Sequence, residues 1–214
     1  MIFAVLMLAQ LCVAQNEISE LLEKVRAVRA ENMFGEVSGT GFVLDEMGHV
    51  VTSSCIVREG SENIQVWLFG PRKTKAKLVG ASVKDEIAVI ELESFECLKP
   101  LRFAQTEAKI GQPSFVVGNS YNCLINDNEV GIFFGIISGK FSVTEELFPG
   151  AEYKGSILES TALANPGLEG APLINSDGEV VGLVSPNFSK HRFLTNAIPA
   201  SHVQSKVKEL MKKT

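Results

Sequence analysis

Gly39-Thr40-Gly41-Phe42-Val43-Leu44-Asp45-Glu46-Met47-Gly48-His49-Val50-Val51-Thr52-Ser53-Ser54 is the stretch on which the reading of this chain turns. Its apolar and β-branched residues fall in two short runs. The polar, glycine-containing Asp45–Gly48 between them has the composition of a turn, so the stretch reads as two joined strands. The same pattern continues in both halves of the chain. IQVWLF, AKLVG, IAVIEL, PSFVVG, VGIFFGIIS, SILEST, APLI, EVVGLVS and FLTNAIP follow, mostly separated by Gly, Pro, Asn or Asp. Asn175-Ser176-Asp177-Gly178 sits between two apolar runs as a hairpin turn would. Many short strands without alternating helices predict an all-β barrel or sandwich. Helical spacing returns at 200–213 through Val203, Val207 and Leu210. It is also read over 16–30, where Ile18, Leu21, Leu22, Val25 and Val28 follow a helical period and Asn16 suits an N-cap.

The composition is that of a globular protein: 214 residues, 45% hydrophobic and 21% charged. With 20 basic against 25 acidic residues and no basic run, nucleic acid is not the expected partner, because phosphate binding needs a basic face. Residues 1–15, MIFAVLMLAQLCVAQ, carry no charged side chain. They are too few for a helix across a bilayer, so no stable membrane span is expected. Residues 1–14 read as a signal peptide, which predicts a secreted or periplasmic protein. Residues 15–36 are then an N-terminal helix and lead-in, and 37–214 form one domain closed by the terminal helix. The strands and that helix use the stretch after Gly111, so an appended peptide-binding domain is not expected within it. Cys12, Cys55, Cys97 and Cys123 have no CxxC spacing, so structural zinc is not expected.

Several segments, in order, resemble the trypsin-like serine proteases of the HtrA/Deg type. Ser38–Leu44 with Gly48–Thr52 is similar to the strand pair leading to the family's catalytic histidine. Lys77–Gly80 with Ile87–Ile90 resembles the region of its aspartate. Ile110-Gly111, Val117–Asn119 and Gly135–Ser138 match further strands. Gly167–Leu173 with Gly178–Gly182 resembles the nucleophile loop and the hairpin after it, and Asn196–Pro199 the last strand. The resemblance runs from about Val37 to Val203. It implies two six-stranded antiparallel β-barrels with a cleft between them. Assembly as a homo-oligomer through the N-terminal segment 16–30 is a further expectation drawn from such relatives.

The resemblance places Cys55 at the histidine position, Glu86 at the aspartate and Glu169 at the nucleophile. Acyl transfer needs a nucleophile, a base near neutral pKa and a group that orients the base. None of these three residues supplies its part. The main expectation is therefore a peptidase homologue without activity that binds a polypeptide or protein partner. One alternative is a peptidase of altered chemistry using Cys55 or a recruited His191; another is a structural assembly subunit. The resemblance also implies an oxyanion hole at the backbone N–H groups of Gly167 and Glu169, onto which the Glu169 carboxylate can fold. It implies a peptide groove at Ser185, Phe193, Thr195 and Asn196, open to an added strand. Each substitution also has a plainer reading: Cys55 as a small buried hydrophobe, Glu86 as a solvated strand residue, Glu169 as a surface charge. Convergence of the three on a divalent metal is the outlying alternative. No metal and no cofactor is expected.

Overall fold

The computed structural model describes residues 20–33, 35–68, 72–120, 130–145, 153–163, 165–185 and 194–212. Twelve strands and one terminal helix carry the fold. They are β1 (Val25–Asn32), β2 (Gly35–Val43), β3 (His49–Ser53), β4 (Glu62–Trp67), β5 (Lys73–Ser82) and β6 (Ile87–Leu92) in the first half. The second half holds β7 (Pro113–Gly118), β8 (Gly131–Val143), β9 (Gly155–Ser160), β10 (Pro172–Ile174), β11 (Val180–Val184), β12 (Thr195–Pro199) and helix α1 (Ala200–Met211). Each half closes on itself as a six-stranded barrel, in the orders β1-β2-β3-β6-β5-β4 and β10-β11-β12-β9-β8-β7. All strand pairs within the two barrels are antiparallel.

One element departs from the sequence reading. Among the described residues, the stretch predicted as a helix over 16–30 has a turn of helix at 20–22, and Val25–Asn32 is a strand. Residues 1–19, including the proposed signal peptide, lie outside the described residues. β1 pairs with β2 from Val25↔Phe42 to Asn32↔Gly35, and with β4 at Ala27↔Trp67 and Val28↔Val66. The reason is long-range. Ala, Arg and Val at these positions satisfy a helical period, but without β1 the first barrel would leave the edges of β2 and β4 unpaired. An assembly role for 16–30 would therefore compete with barrel closure over 25–30.

Each barrel has its own apolar filling. Val28, Val50, Ile64, Val66 and Ile90 pack inside the first, and Val116, Ile137, Leu168 and Leu173 inside the second. A third cluster, including Phe42, Val51, Ile87, Val117, Leu183 and Ile198, fills the seam and receives α1 through Val203, Val207 and Leu210. Burying one such side chain contributes about 1.5–3 kcal/mol. The seam thus holds the barrels together and fixes the loops that face each other across it. Among the described residues, no helix is long and apolar enough to cross a membrane.

Candidate functional site

Cys55 lies two residues beyond the end of β3. The chain leaves the barrel in a single turn, with the N–H groups of Ile56 and Val57 donating to the Ser53 carbonyl at 3.0 and 3.2 Å. The Cys55 N–H donates to Ser53 Oγ at 3.2 Å, and that hydroxyl donates to Cys55 Sγ at 3.1 Å. Burial pushes the Cys55 thiol up to about 12, and the nearby Glu169 and Glu86 carboxylates add to the rise against the Ser53 bond and Arg58. Such a sulfur is a neutral thiol at physiological pH, packed against the apolar filling of the first barrel.

Glu86 sits at the turn into β6, in the left-handed region at φ +59°. It is not the solvated strand residue that one reading expected. It is 4% exposed, and its carboxylate accepts a hydrogen bond from Ser185 Oγ of the opposite barrel. Its carbonyl accepts from the Ser54 N–H at 3.2 Å, which ties the Glu86 turn to the Cys55 turn.

The third position lies on the loop before β10. Gly167 and Gly170 take φ +97° and +81°, values that L side chains rarely adopt. A Cβ on Gly170 would also fall 2.4 Å from the Thr40 carbonyl oxygen. Thr40 pins the loop: its N–H donates to the Glu169 carbonyl at 2.9 Å, and its hydroxyl donates to the Gly167 carbonyl at 2.7 Å. The same hydroxyl accepts from the Asn119 N–H at 3.0 Å. In this geometry the Gly167 N–H donates to Glu169 Oε2 at 2.7 Å. The loop thus folds its own acid back onto the Gly167 N–H. Burial raises the Glu169 pKa, and the backbone N–H groups of Glu169 and Gly167 offset only part of that rise.

Residues named for a peptide groove fare differently. Ser185 is buried and committed to Glu86. Thr195 and Asn196 are buried on β12, which pairs with β11 on one side and β9 on the other. The Thr195 N–H and hydroxyl both bond the Ala162 carbonyl, at 3.2 and 2.9 Å. These two residues therefore offer no free strand edge, because barrel closure has already used it. Phe193 and His191 lie outside the described residues. The other two histidines are engaged elsewhere: His49 Nδ1 with Asp45 Oδ2, and His202 Nε2 with Asp85 Oδ1, each at 2.7 Å. Among the described residues, no group of three or more His, Cys, Asp or Glu is arranged to hold a metal ion.

Sequence reasoning did not foresee Asp85 as a junction. It is buried beside Glu86 and accepts from Ser82 Oγ at 2.5 Å, His202 at 2.7 Å and Lys206 Nζ at 3.1 Å. Burial raises its pKa, but the three donors more than reverse this and hold it below the ordinary aspartate value. Two residues four apart on α1 meeting one acid at a strand turn could have been suspected only once α1 was known to pack there.

The family model for the trypsin-like peptidase domain matches residues 39–183. The chain belongs to the trypsin-like peptidase family. Within it, this is an HtrA-type domain. It is 33% identical over 165 residues to a probable periplasmic serine endoprotease, DegP-like, of Halomonas elongata, covering 75% of this chain and 32% of that protein. It is 26% identical over 182 residues to the serine protease Do-like HtrA of Bacillus subtilis, covering 82% of this chain and 40% of that protein. The chain therefore spans about a third of the length of the curated relatives it matches. In structure it is similar to the HtrA-type protease AlgW with tripeptide, with TM-score 0.80, 21% identity, and 93% of this chain and 64% of that one covered. The Rv3671c protease from M. tuberculosis, active form, superposes with TM-score 0.78 at 21% identity, covering 90% and 83%. These two likenesses speak to the fold.

Proposed function

We propose that this trypsin-like domain keeps the peptidase scaffold without hydrolysing peptide bonds, and acts by holding a polypeptide or a partner protein. The observation that carries the reading is the Glu169 carboxylate accepting from the Gly167 N–H at 2.7 Å. If that donor is one that would steady a tetrahedral oxyanion, a carboxylate already occupies the place where charge must develop. A carboxylate is also a poor acyl nucleophile towards an amide. Cys55 adds a thiol with its pKa near 12 and no bonded imidazole, so it supplies neither base nor thiolate. The binding role rests on analogy with the fold, in which a cleft between barrels receives polypeptide. A secreted or periplasmic setting is supported by the uncharged residues 1–15 and by the periplasmic relatives.

The test is a proteolysis assay on homogeneous protein with casein and fluorogenic peptides. No turnover above buffer is expected, and no labelling by a serine-directed covalent probe. Turnover that Glu169→Ala or Cys55→Ala abolishes would overturn the proposal.

A further inference from the structure

The interior-facing row of β1 contains an anomaly. Val28 and Ala30 point into the first barrel and join its apolar filling. Arg26, two residues before Val28 and so on the same face, is 6% exposed. Its guanidinium donates from Nη1 to the Val25 carbonyl at 2.9 Å, while its buried Nε has no hydrogen-bond partner. A buried, unmatched donor on a charged group is costly, and such groups are ordinarily satisfied. Burial lowers the Arg26 pKa against the pull of Glu23.

Arg26 lines a cavity of about 470 Å³ on the first barrel, open to solvent. Leu68, Phe95 and Leu98 form its apolar wall, with Thr74 and Ser94 beside them. Arg72, Lys73 and Lys99 bring the lining to four cations, against the acids Glu23 and Glu96. Both acids already have rim partners: Lys99–Glu23 at 2.9 Å and Arg72–Glu96 at 3.2 Å. Lys73 is turned to Gln65, at 3.0 Å. The inner cation, Arg26, has no acid in contact among the described residues.

We propose that this cavity is an anion-binding site in which Arg26 receives the oxyanion head, phosphate or carboxylate, of a small ligand. A guanidinium carries its donors in a planar fork suited to the oxygens of such a group. Ser94 adds a polar residue to the lining, and the apolar wall suits a short hydrocarbon tail. In a chain of net charge −5, a lining with two more cations than acids is a local reversal of sign that draws anions in. The site lies on the first barrel and is independent of the reading of the Glu169 loop.

The exposed Cys97 on the cavity wall supplies a reporter. The full chain is titrated with inorganic phosphate and, separately, with octanoate at constant ionic strength. Binding is followed by calorimetry, and maleimide labelling of Cys97 is quantified by peptide mass spectrometry. Saturable binding of at least one probe is expected, with Cys97 labelling slowed at saturation. Binding of phosphate alone assigns a bare anion, and of octanoate alone an acid with an apolar tail. Arg26→Gln is expected to weaken binding by about tenfold or more, the equivalent of one charge-assisted hydrogen bond. Should that variant fail to fold, the exposed double variant Arg72→Glu/Lys99→Glu is expected to weaken binding in the same direction. Absence of saturable binding of both probes, or undiminished affinity in a folded variant, would overturn the proposal.

Discussion

Glu169 shows how one side chain changes what a loop can do. The glycines at 167 and 170 still give the backbone its tight path, and Thr40 still holds it. Only the occupant of the Gly167 N–H is particular to the side chain. Because burial raises the Glu169 pKa, the folded state takes up a proton at higher pH than the unfolded chain does. The ionised carboxylate therefore weighs against folding above its folded pKa, and that burden is relieved as pH falls towards the ordinary carboxylate range. Glu169→Gln keeps the shape and removes the charge. Its melting temperature should exceed that of the parent at pH 8, with the difference shrinking towards pH 4; thermal scans across that range check it. Cys55 gives a second prediction at this scale. With its pKa near 12, about one thiol in 10,000 is ionised at pH 8. Iodoacetamide should modify the exposed Cys97 far faster than Cys55 in the folded protein, and denaturant should abolish the contrast. The positions of Cys55, Glu86 and Glu169 were legible only through the order of family-like segments. No local pattern marked them, and none announced the buried Arg26, which lies in the stretch read as a helix over 16–30.

At the level of elements, turn chemistry explains why eleven strands were readable and the twelfth was not. Asp45–Gly48 and Asn175–Gly178 announce hairpins locally, since short polar side chains and Gly favour the conformations a reversal needs. β1 has no hairpin with a residue-specific turn before it, and its place depends on β2 and β4, one of them more than thirty residues away. Because Val28 is fully buried inside the barrel, Val28→Ala should cost about 1–2 kcal/mol in chemical denaturation. An exposed helical position would tolerate the change. α1 was legible from its period, and its docking was not. The acid that receives it, Asp85, titrates below its ordinary value in the folded state. Its contribution is complete above the unfolded-state pKa and is lost as pH falls through the folded one. Asp85→Asn should lower the melting temperature at pH 7, and the gap to the parent should close in strong acid.

For the whole molecule, the decisive contacts cross between the barrels. Ser185 reaches Glu86, and Thr40 links β2 to the Gly167–Glu169 loop and to Asn119. Thr40 is fully buried, so Thr40→Val strands a carbonyl and an N–H at once. A loss of about 2–4 kcal/mol is expected, measurable by denaturant titration. With an apolar seam and polar ties spanning it, the two barrels should unfold in a single calorimetric transition. The sequence order of segments was enough to foresee two barrels; which atoms meet across the seam depends on packing between residues 79 to 127 positions apart, for which a single chain carries no local signal.

A sheet rolled into a cylinder has no first or last strand. Every strand of both cylinders has two neighbours, so the ladder of backbone donors and acceptors ends nowhere along the sheet. Fibril growth recruits chains onto exactly such open ladders, and here it must first unroll a cylinder. Resistance of the native protein to seeded amyloid conversion, lost once β1 is pried from β2 and β4, is the material consequence of that closure.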